Sequence, residues 1–290
     1  MRNGKLAMRS PVRKTIIISS TDIRRKNITE LQGEVKHLEN KTYQQLTGIS
    51  AVFPAFNDGG TIPSMVLTAL IALREVTDNY EIIVTNDGSS DYTREILDEL
   101  ALRYPELHVI HHEQNQGYGG ALRSGFSAAT KEWIFYTDGD AQYNPLELTK
   151  LVDALHDGID VVNGYKIERH DPLLRKIIGR LYHHIMRLMF GFKLRDVDCD
   201  FRLIRRSLFD QIELESRSGS ICLEMVKKFQ DKGFVFAEVP VHHFHRSYGK
   251  SQFFNFKRVW RTFVQVSMLW WELVIKKSHK AENAGQALTV

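Results

Sequence analysis

The sequence predicts an α/β fold: a mostly parallel central sheet flanked by helices, with amphipathic helices at the carboxyl end. Three observations predict it. From Ile49 onward, short apolar runs alternate with segments of helical period, the pattern of parallel strands joined by crossover helices. Several of these runs end in polar mouths, Asn57-Asp58, Asn86-Asp87-Gly88-Ser89 and Asp138-Gly139-Asp140, where open α/β sheets place their ligands. A chain of 290 residues with 43% hydrophobic content can also bury a core of the size such a sheet needs.

Residues 1–46 lack this alternation. MRNGKLAMRSPVRK is a polar, basic leader, and Ile28, Leu31, Val35 and Leu38 predict a short amphipathic helix, packed within the chain or on a partner. Its apolar run Ile16-Ile17-Ile18 is too short for a signal-sequence core or a membrane span, so the expected location is the cytosolic side. The main domain is expected over 47–250. ISAVFPAFN is its first strand, Asp58-Gly59-Gly60 the loop behind it, and Ile62 to Val76 a helix. EIIVTNDGSSD, LHVIHHEQNQ, WIFYTDGD and DVVNGYK are the next strands, separated by helices over Tyr92–Leu102, Ala121–Ala129 and Pro145–His156. The net charge of +4 is modest, and Cys199 and Cys222 form no disulfide or metal framework and fit a reducing compartment.

Asp138 and Asp140 stand one residue apart at the end of an apolar run. Gly139 permits a tight path between them, so both carboxylates could reach one hard divalent cation, which takes one or two carboxylates plus substrate phosphate oxygens. The alternative is an acidic turn that only caps the helix opening at Asn144-Pro145. Asp87, at a strand tip, could accept a hydrogen bond from a nucleobase N–H. Asn115-Gln116-Gly117-Tyr118-Gly119-Gly120 could offer backbone N–H groups to phosphate or ribose oxygens, or be a tight turn that needs glycine.

Beyond residue 165 the chain becomes basic. LLRKIIGRLYHHIMRLMF carries Leu174, Ile177, Ile178, Leu181, Ile185, Leu188 and Met189 at helical spacing, which suits either a membrane interface or a helix packed on the sheet. RDVDCDFRLIRR reads as a strand whose entry bears acids and Arg202. A helix over Cys222–Lys232 carries Glu224, FVFAEVPVHHFHR is a further strand, and Arg246 to Ser251 follow. The tail over 251–290 is aromatic and basic, with Trp260, Trp270 and Trp271 suited to the headgroup boundary. It reads as an in-plane membrane anchor, or as a partner-binding or dimerising helix that would make a homo-oligomer.

AVFPAFN, VTNDGSSD, NQGYGGALRSGF and YTDGDAQ, in this order and spacing, resemble the family 2 glycosyltransferases of GT-A fold. DVDCDFRLIRR, ICLEMVKK and EVPVHHFHRSYGKSQ are similar to the dolichyl-phosphate mannose synthase and bactoprenol glucosyltransferase branch. The resemblance covers about residues 48 to 255 and implies a Rossmann-like sheet, a nucleotide-diphosphate sugar donor, a polyprenyl phosphate acceptor and a divalent cation, Mg²⁺ or Mn²⁺. It implies a nucleotide-sugar site of Pro54, Ala55, Asn57, Asp58, Asp87, Gly88, Ser89, Asn115, Gly117, Gly120, Arg123, Asp138 and Gly139. Asp138 and Asp140 would lie at the metal, Gln142 at the metal or the sugar, and Arg202, Arg246 and Lys250 would meet phosphates. The chain departs from the pattern where Asn86 replaces a common Asp and where Asp198 and Asp200 replace small residues.

The expected reaction is transfer of a hexose with inversion to a polyprenyl phosphate, on the cytosolic face of a membrane. A phosphate acceptor, ionised near neutral pH, needs no general base. A sugar hydroxyl would need one, with Glu224 the candidate and Asp198 and Asp200 behind it. A non-catalytic nucleotide-sugar or membrane scaffold is the alternative from another class. Nucleic-acid binding is not expected, because the basic stretches are interleaved with aliphatic residues more than with stacking aromatics.

Overall fold

β1 (Ile49–Ala55) is buried along its whole length, as a strand must be when helices cover both faces of its sheet. The computed structural model describes residues 46–169, 184–245 and 256–279. The expected amino-terminal helix, the start of the basic helix near residue 174, Arg246 and Lys250 lie outside these residues.

After β1 come α1 (Ile62–Val76), β2 (Tyr80–Asn86), α2 (Thr93–Arg103), β3 (Leu107–His111), α3 (Tyr118–Ala128) and β4 (Trp133–Thr137). A 3₁₀ turn (Pro145–Glu147) leads into α4 (Leu148–Asp153), then β5 (Val161–Arg169) and β6 (Phe201–Arg205). A second 3₁₀ segment (Arg206–Gln211), α5 (Ile221–Lys232), β7 (Phe236–His243) and α6 (Phe256–Trp270) complete the order. A π-helical turn (Trp271–Lys276) continues α6.

The seven strands form one sheet in the order β3-β2-β1-β4-β6-β5-β7. β1 pairs in parallel with β2 and β4, and β5 with β7, as the alternation predicts. β6 runs antiparallel to both of its neighbours, which the apolar pattern does not reveal. The expected strand over RDVDCDFRLIRR is therefore shorter: only Phe201–Arg205 pairs, and the acids before it form its entry. The glycine turn also differs from expectation, because α3 begins at Tyr118 and takes Gly119 and Gly120 into its first turn.

Strand alternation divides the core. Ile49, Ala51 and Phe53 face α1, α2 and α4, whereas Val52 faces α3 and α5. A third cluster joins Leu223 and Val226 of α5 to Val266, Leu269 and Leu273 of the last helical segment and to Met186, Phe190 and Phe192. The tail's inner face thus packs on the main body. Phe135 is fully buried between Phe53 and Phe201, its ring 6.5 and 5.0 Å from theirs. Phe135→Ala should lower unfolding free energy by about 3–5 kcal/mol in urea titration; a loss below about 1 kcal/mol would contradict this packing.

Candidate active site

The carboxyl ends of β1, β2 and β4 carry the three polar mouths to one edge of the sheet. Asn57, with φ of +57°, locks the first two together: its N–H donates to Ser89 Oγ at 2.9 Å and its Oδ1 accepts from Ser90 N–H at 2.8 Å. Asp58 turns back on its own loop, accepting the Phe56 N–H at 3.1 Å. Pro54 and Ala55 are buried in β1, and the Pro54 carbonyl crowds Gly139, where a Cβ would come within 2.9 Å. Gly139 is therefore needed for this close approach, and Ala141, at φ +61°, carries the left-handed turn.

The register of β4 against β6 sets the charge of the site. Thr137 lies opposite Phe201, so the next residue outward, Asp138, comes beside Asp200. Burial, then Asp200 and Asp140, with a further push from Asp58, raise Asp138 well above the ordinary carboxyl range, while the Tyr118 hydroxyl opposes them. That hydroxyl donates to Asp138 Oδ1 at 2.7 Å. Asp200 Oδ1 lies 2.9 Å from the Cys222 thiol and accepts from Tyr136 Oη–H at 3.2 Å. Burial also pushes Asp198 up to about 6, Lys166 opposing and Asp196 and Asp200 adding to the shift. The capping alternative fails for the acid pair, because Asn144 Oδ1 takes the Leu146 N–H at the 3₁₀ turn.

Among the described residues, no three His, Cys, Asp or Glu side chains converge closely enough to hold a metal by themselves. The donor set nevertheless fits a hard cation completed by substrate phosphate, since Asp138 stands in an excess of negative charge that a cation would relieve. Asp140 Oδ1 accepts the Gln142 N–H at 3.0 Å. Gln142, expected at the metal or sugar, sends its amide nitrogen to the Phe244 carbonyl at 3.1 Å and so ties this turn to the end of β7.

Further predicted site residues are engaged within the chain. Asp87 is buried and spends its carboxylate within the chain: Oδ1 pairs with His112 Nδ1 at 2.7 Å and accepts the Gln116 N–H at 2.8 Å, and Oδ2 accepts the Gly117 N–H at 2.9 Å. These N–H groups, expected to face phosphate, face Asp87, and Asn115 closes the same turn by donating to the Asp87 carbonyl at 3.0 Å. Gly88 (φ +67°) lies beneath it, where a Cβ would meet Asn115 N at 2.8 Å. Arg202 is fully buried, with its guanidinium on Asn163 Oδ1, Tyr136 Oη and the Val197 carbonyl, so it meets no phosphate; it sits 3.7 Å from Asp200 instead. Arg123 grips the carbonyls of Leu214 and Glu215 at 3.1 and 2.8 Å. Glu224, expected as a base, is 1% exposed and accepts the Glu215 and Ser216 N–H groups while pairing with Lys228. Gly120 is buried inside α3.

Sequence reasoning missed His112, Tyr118, Asn163 and the segment 213–217. Tyr118 alone carried a signal, a large hydroxyl-bearing residue inside a run of glycines.

In the absence of a cation, the raised native pKa of Asp138 means that its stabilising contribution is full below the ordinary value of 3.8 and is lost as pH rises through the native one. Asp138→Asn should therefore melt higher than wild type in EDTA at about pH 8, with the gap closing towards about pH 4. Identical melting profiles would remove the charge-crowding account.

Glycosyl transferase family 2, compared as a sequence profile, matches residues 50–213. An undecaprenyl-phosphate 4-deoxy-4-formamido-L-arabinose transferase from Photorhabdus laumondii is 30% identical over 215 residues, 73% of this chain and 65% of that one. This chain thus spans less than two thirds of that relative's length. Glucosyl-3-phosphoglycerate synthase from Mycobacterium tuberculosis, solved with uridine diphosphate, shares the fold at 20% identity and a TM-score of 0.59 over 83% of each chain. The same protein solved with Mn²⁺ and uridine-diphosphate-glucose gives a TM-score of 0.58 at 20% identity, over 83% of this chain and 82% of that one.

Proposed function

The chain belongs to glycosyl transferase family 2, whose profile covers residues 50–213, and from that premise we propose that it moves a hexose from a nucleotide-diphosphate sugar to a polyprenyl phosphate, with inversion. The observation that carries this reading is the gathering of Asp58, Asp138, Asp140 and Asp200 at the carboxyl edge of the sheet, with Asp138 beside Asp200 across the β4–β6 register and Asp58 against Gly139. A divalent cation held by Asp138 and Asp140 would supply Lewis-acid neutralisation of the leaving diphosphate. Tyr118 holds the Asp138 carboxylate in orientation, and Gln142 fixes the Asp140 turn against β7. The acceptor oxygen forms its bond to the anomeric carbon as the bond to the nucleotide diphosphate breaks, and the electron pair leaves with the diphosphate. The names of the relatives, transferases of undecaprenyl phosphate, support the acceptor class. Neighbours of the same fold that bind Mn²⁺ and uridine-diphosphate-glucose support the cation and donor class.

A second reading, a sugar hydroxyl as acceptor, is favoured by one observation: Asp200 adds a carboxylate beside Asp138. Incubation of the protein with nucleotide sugars, Mn²⁺ and undecaprenyl phosphate should yield a glycosyl lipid phosphate by mass spectrometry. Asp138→Ala, Asp140→Ala or EDTA should each abolish it. Asp200→Asn should keep turnover within about tenfold, because base catalysis, typically worth about 10²–10⁴, is not required by an ionised phosphate. A loss of about three orders would instead point to the hydroxyl acceptor. Product formation that survived EDTA and both alanine variants would discard the metal assignment.

The reading includes residence on a membrane surface. No helix among the described residues is long and apolar enough to cross a membrane. Opposite the packed residues Val266, Leu269 and Leu273, the last helix exposes Trp260, Phe263, Met268, Trp271 and Ile275, with Ile185 and Leu188 exposed as well. Such a stripe, with Arg261, Lys276 and Lys277 exposed near it, suits an in-plane helix at an anionic surface. Flotation with vesicles of anionic phospholipid should carry the protein upward, less so at high salt and much less after Trp260→Ser with Trp271→Ser. Sedimentation of the wild type away from such vesicles at low salt would dismiss the anchor, and a dimer broken by the same pair would favour a second copy as the occupant.

A further inference from the structure

We propose that Glu224 is a positioning residue that sets the shape of the glycine turn at residues 115–120 by clasping the segment 213–217 against it. The proposal rests on the transferase reading only for the identity of the ligand.

Segment 213–217 belongs to no helix or strand, so its backbone groups need partners from elsewhere. Glu224, on the first turn of α5, supplies two of them: its Oε1 accepts the Glu215 N–H at 3.0 Å and its Oε2 the Ser216 N–H at 2.9 Å. Lys228, one helical turn on, donates to Glu224 Oε1 at 2.7 Å and to the Glu213 carbonyl at 2.6 Å. Arg123 reaches in from α3 and holds the Leu214 and Glu215 carbonyls. The segment is thus gripped by α5 and α3 together, through charged groups whose hydrogen bonds are the stronger kind.

The gripped segment touches the glycine turn directly, backbone to backbone. The Gly119 N–H donates to the Arg217 carbonyl at 3.0 Å. A Cβ at Gly117 would collide with the Arg217 carbonyl, and one at Gly119 with the Ser216 carbonyl, so no side chain can cushion the contact. On its other side the turn reaches both strand-end acids of the site. Gly117 N–H goes to Asp87 and the Tyr118 hydroxyl to Asp138. A shift of segment 213–217 therefore passes into the turn, and through Tyr118 to Asp138, the carboxylate that the donor would meet. A buried ion pair is a poor device for stability alone, since apolar residues of similar size commonly serve as well or better. Glu224 and Lys228 are both buried, and their bonds fix a loop in one conformation.

Glu224→Gln keeps the side chain's size but sets an NH₂ against an N–H and removes the charge facing Lys228. Arg123→Met releases the segment from the other side and serves if the first variant folds poorly. Hydrogen–deuterium exchange of the ligand-free protein should quicken about tenfold across 115–121 in each variant, with peptides of β1 unchanged. Calorimetric titration with uridine diphosphate or guanosine diphosphate, each with Mn²⁺, should show Kd raised about tenfold in each single variant, and the double variant no weaker than the worse single one. Where a donor turns over, its KM should rise by the same factor while kcat stays within about threefold. Wild-type exchange across 115–121 in both variants would overturn the proposal, whatever happens to the melting temperature. So would a kcat lowered by about three orders in Glu224→Gln at unchanged Kd, the signature of a general base. If the wild type bound neither diphosphate, the transferase reading would fall, and the exchange measurement would still decide the clasp.

Discussion

Like charges brought together at the join of β4 and β6 are the constraint on which the rest of the site depends. Because β6 enters antiparallel, the residue after Thr137 must lie beside the residue before Phe201, and both are aspartates. Two carboxylates in a partly desolvated setting repel, and the cost is eased when one takes a proton or a positive charge stands close. Tyr118 orients Asp138 without cancelling its charge, whereas Arg202, 3.7 Å from Asp200, offsets part of the charge on that side. Tyr118 donates to Asp138, and Tyr136 and Cys222 hold Asp200. A site built in this way keeps an excess of negative charge at the carboxyl edge of the sheet.

Much of the scaffold was legible because it is written in local patterns. The fully buried, mostly apolar first strand, the polar mouths at the strand ends and the helical-period segments between them each depend on residues close in sequence. The acid pair was legible for the same reason. What escaped was decided by partners far along the chain. The direction of β6 turns on pairing with β4 and β5, which no single stretch encodes. Asp87 looked like a strand-tip acceptor open to a ligand, yet His112 and two amides of the glycine turn occupy it.

The buried cation Arg202 shows the same limit more sharply. An arginine after an acidic stretch reads as a phosphate contact, but its guanidinium is wholly enclosed by Asn163, Tyr136 and the Val197 carbonyl. Each partner comes from a different part of the sheet or its entry loop. Burying a guanidinium is unfavourable unless its donors are satisfied, and here they are. Its position beside Asp200 gives the charge a use, since it fixes one acid of the crowded group from below.

Arg202 and Glu224 therefore follow one logic from the same face of the sheet, the one that α5 covers. Each is a charged side chain with almost no exposed surface, and each grips polar groups that regular secondary structure leaves unpaired. Arg202 braces the loop entering β6, where Asp200 stands; Glu224 braces the segment lying on the glycine turn, from which Tyr118 reaches Asp138. The loops carrying the acids at the rim are tied inward by these buried ions together with neutral bonds such as that of Gln142 to the Phe244 carbonyl. The charge crowded at the rim and the charges buried beneath it are consequently one arrangement.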